Sequence, residues 1–215
     1  MQELLPAAAA VVATTADSGL DGLMPGESEV IAGAVAGRQH EFATVRRCAR
    51  EALGRLGVPA AAILPGPRGA PGWPAGIVGS MTHCRGYRAA AVARSAELAA
   101  LGIDAEPAAE LPTGVLQLVA GPQEQRQLAE LSPDMPWPTV LFCAKEAVYK
   151  AWYPLAGRWL DFHQVRVRLD PERGSFHAAL LVPGPTVAGS ELAGFDGRFA
   201  ITPELVLAAV AVTAR

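Results

Sequence analysis

The chain has 215 residues, 51% of them hydrophobic and 18% charged, with a formal net charge of −3. This is the composition of a globular protein with one large core or two smaller ones, and it excludes a disordered chain or one drawn to nucleic acid or anionic lipid by overall charge. Three cysteines, at positions 48, 84 and 143, form no CxxC or Cys/His spacing, which excludes a disulfide scaffold or zinc site and suits reduced thiols in a cytoplasmic protein. The apolar run Leu4–Ala13 follows Glu3, and the first basic residue is Arg38, so it lacks the basic start of a signal peptide. No apolar run has the length of a membrane span. The first strand is predicted over Ala9–Thr15.

Pro25-Gly-Glu-Ser-Glu reads as a turn that opens a helix at about 27–35, with acidic residues in its first turn. A longer helix is predicted from Arg38 to Leu56, with Phe42, Val45, Ala49, Ala52, Leu53 and Leu56 on its apolar face. The other face carries Arg38, Arg46, Arg47, Arg50 and Arg55: a solvated row, from which Arg38 and Arg46 could still converge on an anion. Residues 57–76 are rich in Pro and Gly and read as a long ordered loop with Arg68 in its middle. Ile77–Thr82 and Tyr87–Ala93 form a predicted hairpin. His83, where the first of these strands ends, is either a structural histidine or, beside Thr82, a phosphate donor.

The apolar strand Leu98–Ile103 leads into Asp104-Ala-Glu106. Residues two apart in an extended segment share a side, so the two carboxylates point together. They are either two solvated acids in a turn or half of a divalent-cation site. Thr113–Val119 and Pro122–Leu131 are predicted as short helices. Val140 to Tyr153 forms a further helix that Pro154 stops, and it contains both lysines of the chain, Lys145 and Lys150, among eighteen basic residues. Glu146 and Lys150 lie one turn apart, as a surface pair or as a chemical one. Lys can shift its pKa and move a proton, which Arg does poorly. Strands over Phe162–Leu169, Phe176–Val182, Leu192–Ile201 and Leu205–Thr213 complete an α/β (α+β) chain. Each half runs through helices and then strands, and the boundary is placed near residue 108, giving 1–107 and 108–215.

Four segments together resemble the 4′-phosphopantetheinyl transferases, of the large monomeric, surfactin-synthetase-activating type and its actinobacterial members. They are Gly37-Arg38 to Glu41-Phe42 with Arg46, Ala52 and Leu53; Gly72-Trp73-Pro74 through Ser80-Met-Thr-His83; Gly102-Ile-Asp-Ala-Glu106; and Phe142-Cys-Ala-Lys-Glu146-Ala-Val-Tyr-Lys150-Ala-Trp152. The resemblance implies two pseudo-symmetric halves, each a small antiparallel sheet packed with helices, with the active site in the cleft between them. It implies transfer of phosphopantetheine from coenzyme A (CoA) to a serine of an apo acyl or peptidyl carrier protein, with release of adenosine 3′,5′-bisphosphate. Asp104, Glu106 and Glu146 are then expected to hold Mg²⁺, with Mn²⁺ also suited to the oxygen set. Arg38, Arg46, Thr82 and His83 are expected on CoA phosphates and Arg68 over the adenine end, with Lys145 either reaching phosphate or only packing against the other half. Glu146 is the expected base, and Lys150 the group that steadies the leaving bisphosphate or returns a proton. Carrier docking is expected around residues 111–135. Against this stand a CoA- or carrier-binding relative without turnover, which the intact carboxylate and Lys150 set disfavours, and a nucleotide hydrolase, which lacks its phosphate-binding glycine motif here.

Overall fold

A computed structural model describes residues 1–215 as two small antiparallel sheets packed against helices. Strand β1 (Ala10–Thr14) is followed by helices α1 (Glu27–Ile31) and α2 (Ala36–Arg55), then by the hairpin β2 (Ile77–Cys84) and β3 (Tyr87–Arg94). Strand β4 (Leu98–Pro107), helices α3 (Val115–Val119), α4 (Pro122–Ala129) and α5 (Trp137–Ala156), and strands β5 (Val165–Asp170) and β6 (Ser175–Leu180) come next. A two-residue hairpin, β7 (Thr186–Val187) and β8 (Ser190–Glu191), precedes β9 (Gly194–Ile201) and β10 (Leu205–Thr213). No helix is long and apolar enough to cross a membrane.

The first sheet has the order β1-β3-β2, and the second β4-β10-β9-β6-β5. Strand β4 therefore pairs with β10, from Leu205 opposite Pro107 onward, and not with the sheet that precedes it in sequence. The alternation of side chains along a strand explains the layering. On β3, Ala90 and Val92 face α2 (Ala49, Ala52, Leu53), while Ala89, Ala91 and Ala93 face Leu101, Ile103, Leu207 and Ala209 of the second sheet. The opposite face of that sheet (Ala100, Val206, Ala208, Val210) packs on α5. The result is four layers: α2, the first sheet, the β4–β10 side of the second sheet, and α5.

Two local expectations change. Helix α5 does not stop at Pro154 but continues to Ala156, because a proline in the last turn removes only one N–H bond; Gly157, at φ 64°, ends it. Helix α1 is a single turn whose first acid, Glu27, is fully buried instead of facing solvent.

Candidate functional site

The edge of β4 left unpaired by β10 lies against β2, and two hydroxyls close it. The Ser80 hydroxyl accepts from Ile103 N–H at 3.1 Å and the Thr82 hydroxyl from Ala105 N–H at 3.1 Å. These side chains take the place of a strand partner for backbone groups that would otherwise be buried without one. Asp104 sits between the two bonded residues and is 4% exposed.

Helix α5 reaches the same strand because position 102 is glycine. A Cβ there would overlap the carbonyl oxygen of Ala147 and lie 2.8 Å from the nitrogen of Ala151, so the helix backbone rests directly on β4. That contact brings the face of Glu146 and Lys150 over Asp104. Lys150 Nζ donates to Asp104 Oδ1 at 2.7 Å and to the Ile103 carbonyl at 3.1 Å. Thr82 adds a bond to the same carboxylate oxygen at 3.1 Å. Asp104 Oδ2 is buried with no partner.

The three carboxylates Asp104, Glu106 and Glu146 feel one another. Burial, then repulsion from Asp104, pushes Glu106 up to about 7. Burial and the same neighbour raise Glu146. Burial pulls the Lys150 ammonium down, but Asp104 and Glu146 together leave it above its ordinary value. As the side chains stand, no three His, Cys, Asp or Glu groups are gathered closely enough to grip a metal ion. The donor set nevertheless suits a hard divalent cation. All its donors are carboxylate oxygens, two of the acids have pKa values raised by burial and then by the charge of Asp104, and one buried oxygen is unsatisfied.

Lys145 lies on another face of α5 and in a different environment. It is 1% exposed, and its ammonium is ringed by Glu124 Oε2 at 2.8 Å and the carbonyls of Val119, Phe162 and Val165 at 2.7, 2.8 and 3.2 Å. Glu124 also accepts from Gly121 N–H and Val167 N–H. Lys145 is thus a clamp that ties α5 to α4 and β5, with no free N–H to offer a phosphate.

Of the expected phosphate residues, Arg38 and His83 meet at the open end of the site. Arg38 Nη1 bonds His83 Nε2 and lies 3.3 Å from Glu41 Oε2. Burial, and next Arg38, lower the His83 pKa, so the ring is neutral and accepts from the guanidinium. Glu41 also receives Arg88 Nη2 at 3.2 Å, and Arg88 binds Asp17. Sequence reasoning gave no role to Glu41 or Arg88. Glu41 was legible as the i+3 neighbour of Arg38, and Arg88 as the residue opposite His83 in the hairpin register. Arg46 is buried instead. Its Nε donates to the Ile63 carbonyl at 2.8 Å, its guanidinium stacks 3.2 Å from the Phe42 ring centroid, and burial lowers its pKa to about 10. Arg50, expected in the solvated row, binds both oxygens of Glu27, which also holds Ile63 N–H at 2.8 Å. This cluster secures the start of the 57–76 loop. Further along that loop, Arg68 adopts φ 56° and lies 5.7 Å from the ring of Trp159, which meets the Tyr149 ring at a tilt of 56° with centroids 4.8 Å apart. Arg68 therefore reaches from the first sheet's side of the molecule to an aromatic pair beside Glu146 on the second. Farther off, a groove of about 650 Å³ is lined by Leu111, Leu116, Leu128, Met135 and Trp137.

Two family models match the chain: a 4′-phosphopantetheinyl transferase N-terminal domain over residues 26–93, and the 4′-phosphopantetheinyl transferase superfamily over residues 100–190. The break between them falls between β3 and β4. The chain is 57% identical over 195 residues to 4′-phosphopantetheinyl transferase Svp of Streptomyces mobaraensis, covering 89% of this chain and 79% of that one. It is 48% identical over 195 residues to 4′-phosphopantetheinyl transferase Npt of Nocardia iowensis, covering 87% and 88%. It is 45% identical over 192 residues to 4′-phosphopantetheinyl transferase PptT of Mycobacterium tuberculosis, covering 87% and 85%.

Proposed function

The chain belongs to the 4′-phosphopantetheinyl transferase superfamily and is an enzyme of that kind; from that premise we propose that it takes coenzyme A as donor, needs Mg²⁺, and acts in the manner of the surfactin-synthetase-activating type. The acceptor is the serine of an apo acyl or peptidyl carrier protein, and the enzyme works as a cytoplasmic monomer. The observation that carries this reading is the convergence of Asp104, Glu106, Glu146 and Lys150 where α5 rests on β4, with one buried carboxylate oxygen unsatisfied.

In the reaction the serine Oγ forms a bond to the phosphorus that carries the pantetheine arm, and the bond from that phosphorus to adenosine 3′,5′-bisphosphate breaks. Asp104, Glu106 and Glu146 would hold the cation, which when bound neutralises charge on the pyrophosphate. Glu146, whose burial raises its proton affinity, takes the serine proton. Lys150, held above its ordinary pKa, stays protonated and offers its charge to the departing phosphate. Arg38 and His83 meet the other phosphates at the open end, while Arg68 and Trp159 cover the nucleotide. Arg46 acts behind them by fixing the loop at Ile63. The division into two halves is drawn near residue 108 in sequence, with β4 contributing its carboxylates at the junction. The groove beside Trp137 suits the apolar part of a docked carrier.

Incubating apo carrier proteins with the enzyme, CoA and Mg²⁺ and weighing them by mass spectrometry tests the proposal. Gain of one phosphopantetheine per carrier is expected. Carriers of the fatty-acid, polyketide and peptide types that all stay unmodified would leave a binding protein without turnover.

A further inference from the structure

We propose that Thr82 is a positioning residue for the cation site: its hydroxyl fixes Asp104 so that one carboxylate oxygen is tied down and the other is left for the metal. This rests on the function proposed above. Sequence reasoning expected Thr82 on a CoA phosphate, but the side chain is 2% exposed and its hydroxyl is already engaged twice. It accepts from Ala105 N–H at 3.1 Å and donates to Asp104 Oδ1 at 3.1 Å. A hydroxyl has one proton to give, and this one goes to the carboxylate. Anchored to the β4 backbone on one side, it holds Oδ1 on the other. Lys150 reaches the same oxygen, so both load Oδ1; the Cys143 thiol beside Asp104 donates to the Val206 carbonyl at 3.7 Å, and Oδ2 remains buried and unpartnered. Buried polar atoms without partners are rare in folded proteins, and one on a carboxylate whose charge is felt by Glu106 and Glu146 is suited to a cation. Residues that orient a ligating carboxylate by hydrogen bonds commonly change metal affinity about 10–100-fold when removed.

Ser80 supplies the internal control. Its hydroxyl accepts from Ile103 N–H at 3.1 Å, so it makes the same kind of strand-edge bond without touching a carboxylate. A purely structural role for Thr82 would make the two positions alike.

The experiment titrates Mn²⁺ into wild type, T82V, T82S and S80A by electron paramagnetic resonance, and then measures KM for CoA and for dephospho-CoA, which lacks the 3′-phosphate. T82V is expected to bind Mn²⁺ at least about tenfold more weakly. T82S should bind as wild type does, because it keeps the hydroxyl, and S80A should also match wild type. The KM ratio of the two donors should be the same in T82V as in wild type. Mn²⁺ affinity in T82V within twofold of wild type, an equal loss in S80A, or a KM increase restricted to the donor with the 3′-phosphate would each overturn the assignment. Wild type that neither takes up Mn²⁺ nor modifies any carrier defeats the proposed function itself, and Thr82 falls with it. If T82V does not fold, T82S decides: it must retain full affinity.

Discussion

The two lysines of α5 stand five residues apart and occupy opposite kinds of place. Around Lys145 every charge is answered: Glu124 and three carbonyls surround the ammonium, and Glu124 has two backbone N–H partners besides. Around Lys150 there is a surplus of negative charge, with three carboxylates, one ammonium and one oxygen left over. A satisfied buried charge serves the fold, because little is gained there by adding a ligand. An unsatisfied one marks a place where the fold carries a cost that a substrate or ion can relieve.

The sharpest way to break this contrast is to exchange the effects of the two regions. Lys145→Met leaves Glu124 buried without its cation and should lower unfolding free energy by about 3–5 kcal/mol in a denaturant melt. Glu146→Gln should do the reverse: stability equal to or above wild type, with kcat reduced about 10²–10⁴-fold. Near-wild-type stability in the first variant, or full turnover in the second, would erase the distinction. Asp104→Ala should likewise abolish transfer while CoA binding, measured by calorimetry, remains through Arg38 and His83.

A finer test uses pH. The folded pKa of Glu106, about 7, lies above its ordinary 4.5. The native state therefore holds that proton more tightly than the unfolded chain does. The stability this contributes is complete below about pH 4.5 and is lost as pH rises through 7. Without divalent cations the melting temperature should fall over this window, and Glu106→Gln should flatten the fall. An unchanged slope in the variant would show that another group is responsible. The smallest effect is expected at Trp159→Ala. Loss of one exposed cation–π contact, worth about 0.5–1 kcal/mol, should raise KM for CoA about two- to fivefold and leave kcat alone.

Much of the architecture was readable from periodicity. The Val165, Val167, Leu169 alternation and the apolar face of α2 both fold as their spacing predicts. What sequence could not supply was partnership at long range. Lys145 and Lys150 are the same residue type on one helix, and nothing local says that Glu124 waits for the first and Asp104 for the second. Arg46 and Arg50 sit in a row that looks solvated until Glu27, more than fifteen residues earlier, closes on them. The family resemblance puts Thr82 with His83 on a CoA phosphate, whereas the burial pattern of β2 turns Thr82 inward and His83 outward. The pairing of β4 with β10 joins segments a hundred residues apart, which no local pattern announces.

The missing side chain of Gly102 governs a distance. With backbone against backbone, α5 has no cushion of side-chain atoms over which to slide or tilt, so the height of Glu146 above the strand is set by main-chain contact alone. One methyl group at this position would act as a shim, lifting both acid and ammonium away from Asp104 while leaving each of them chemically intact.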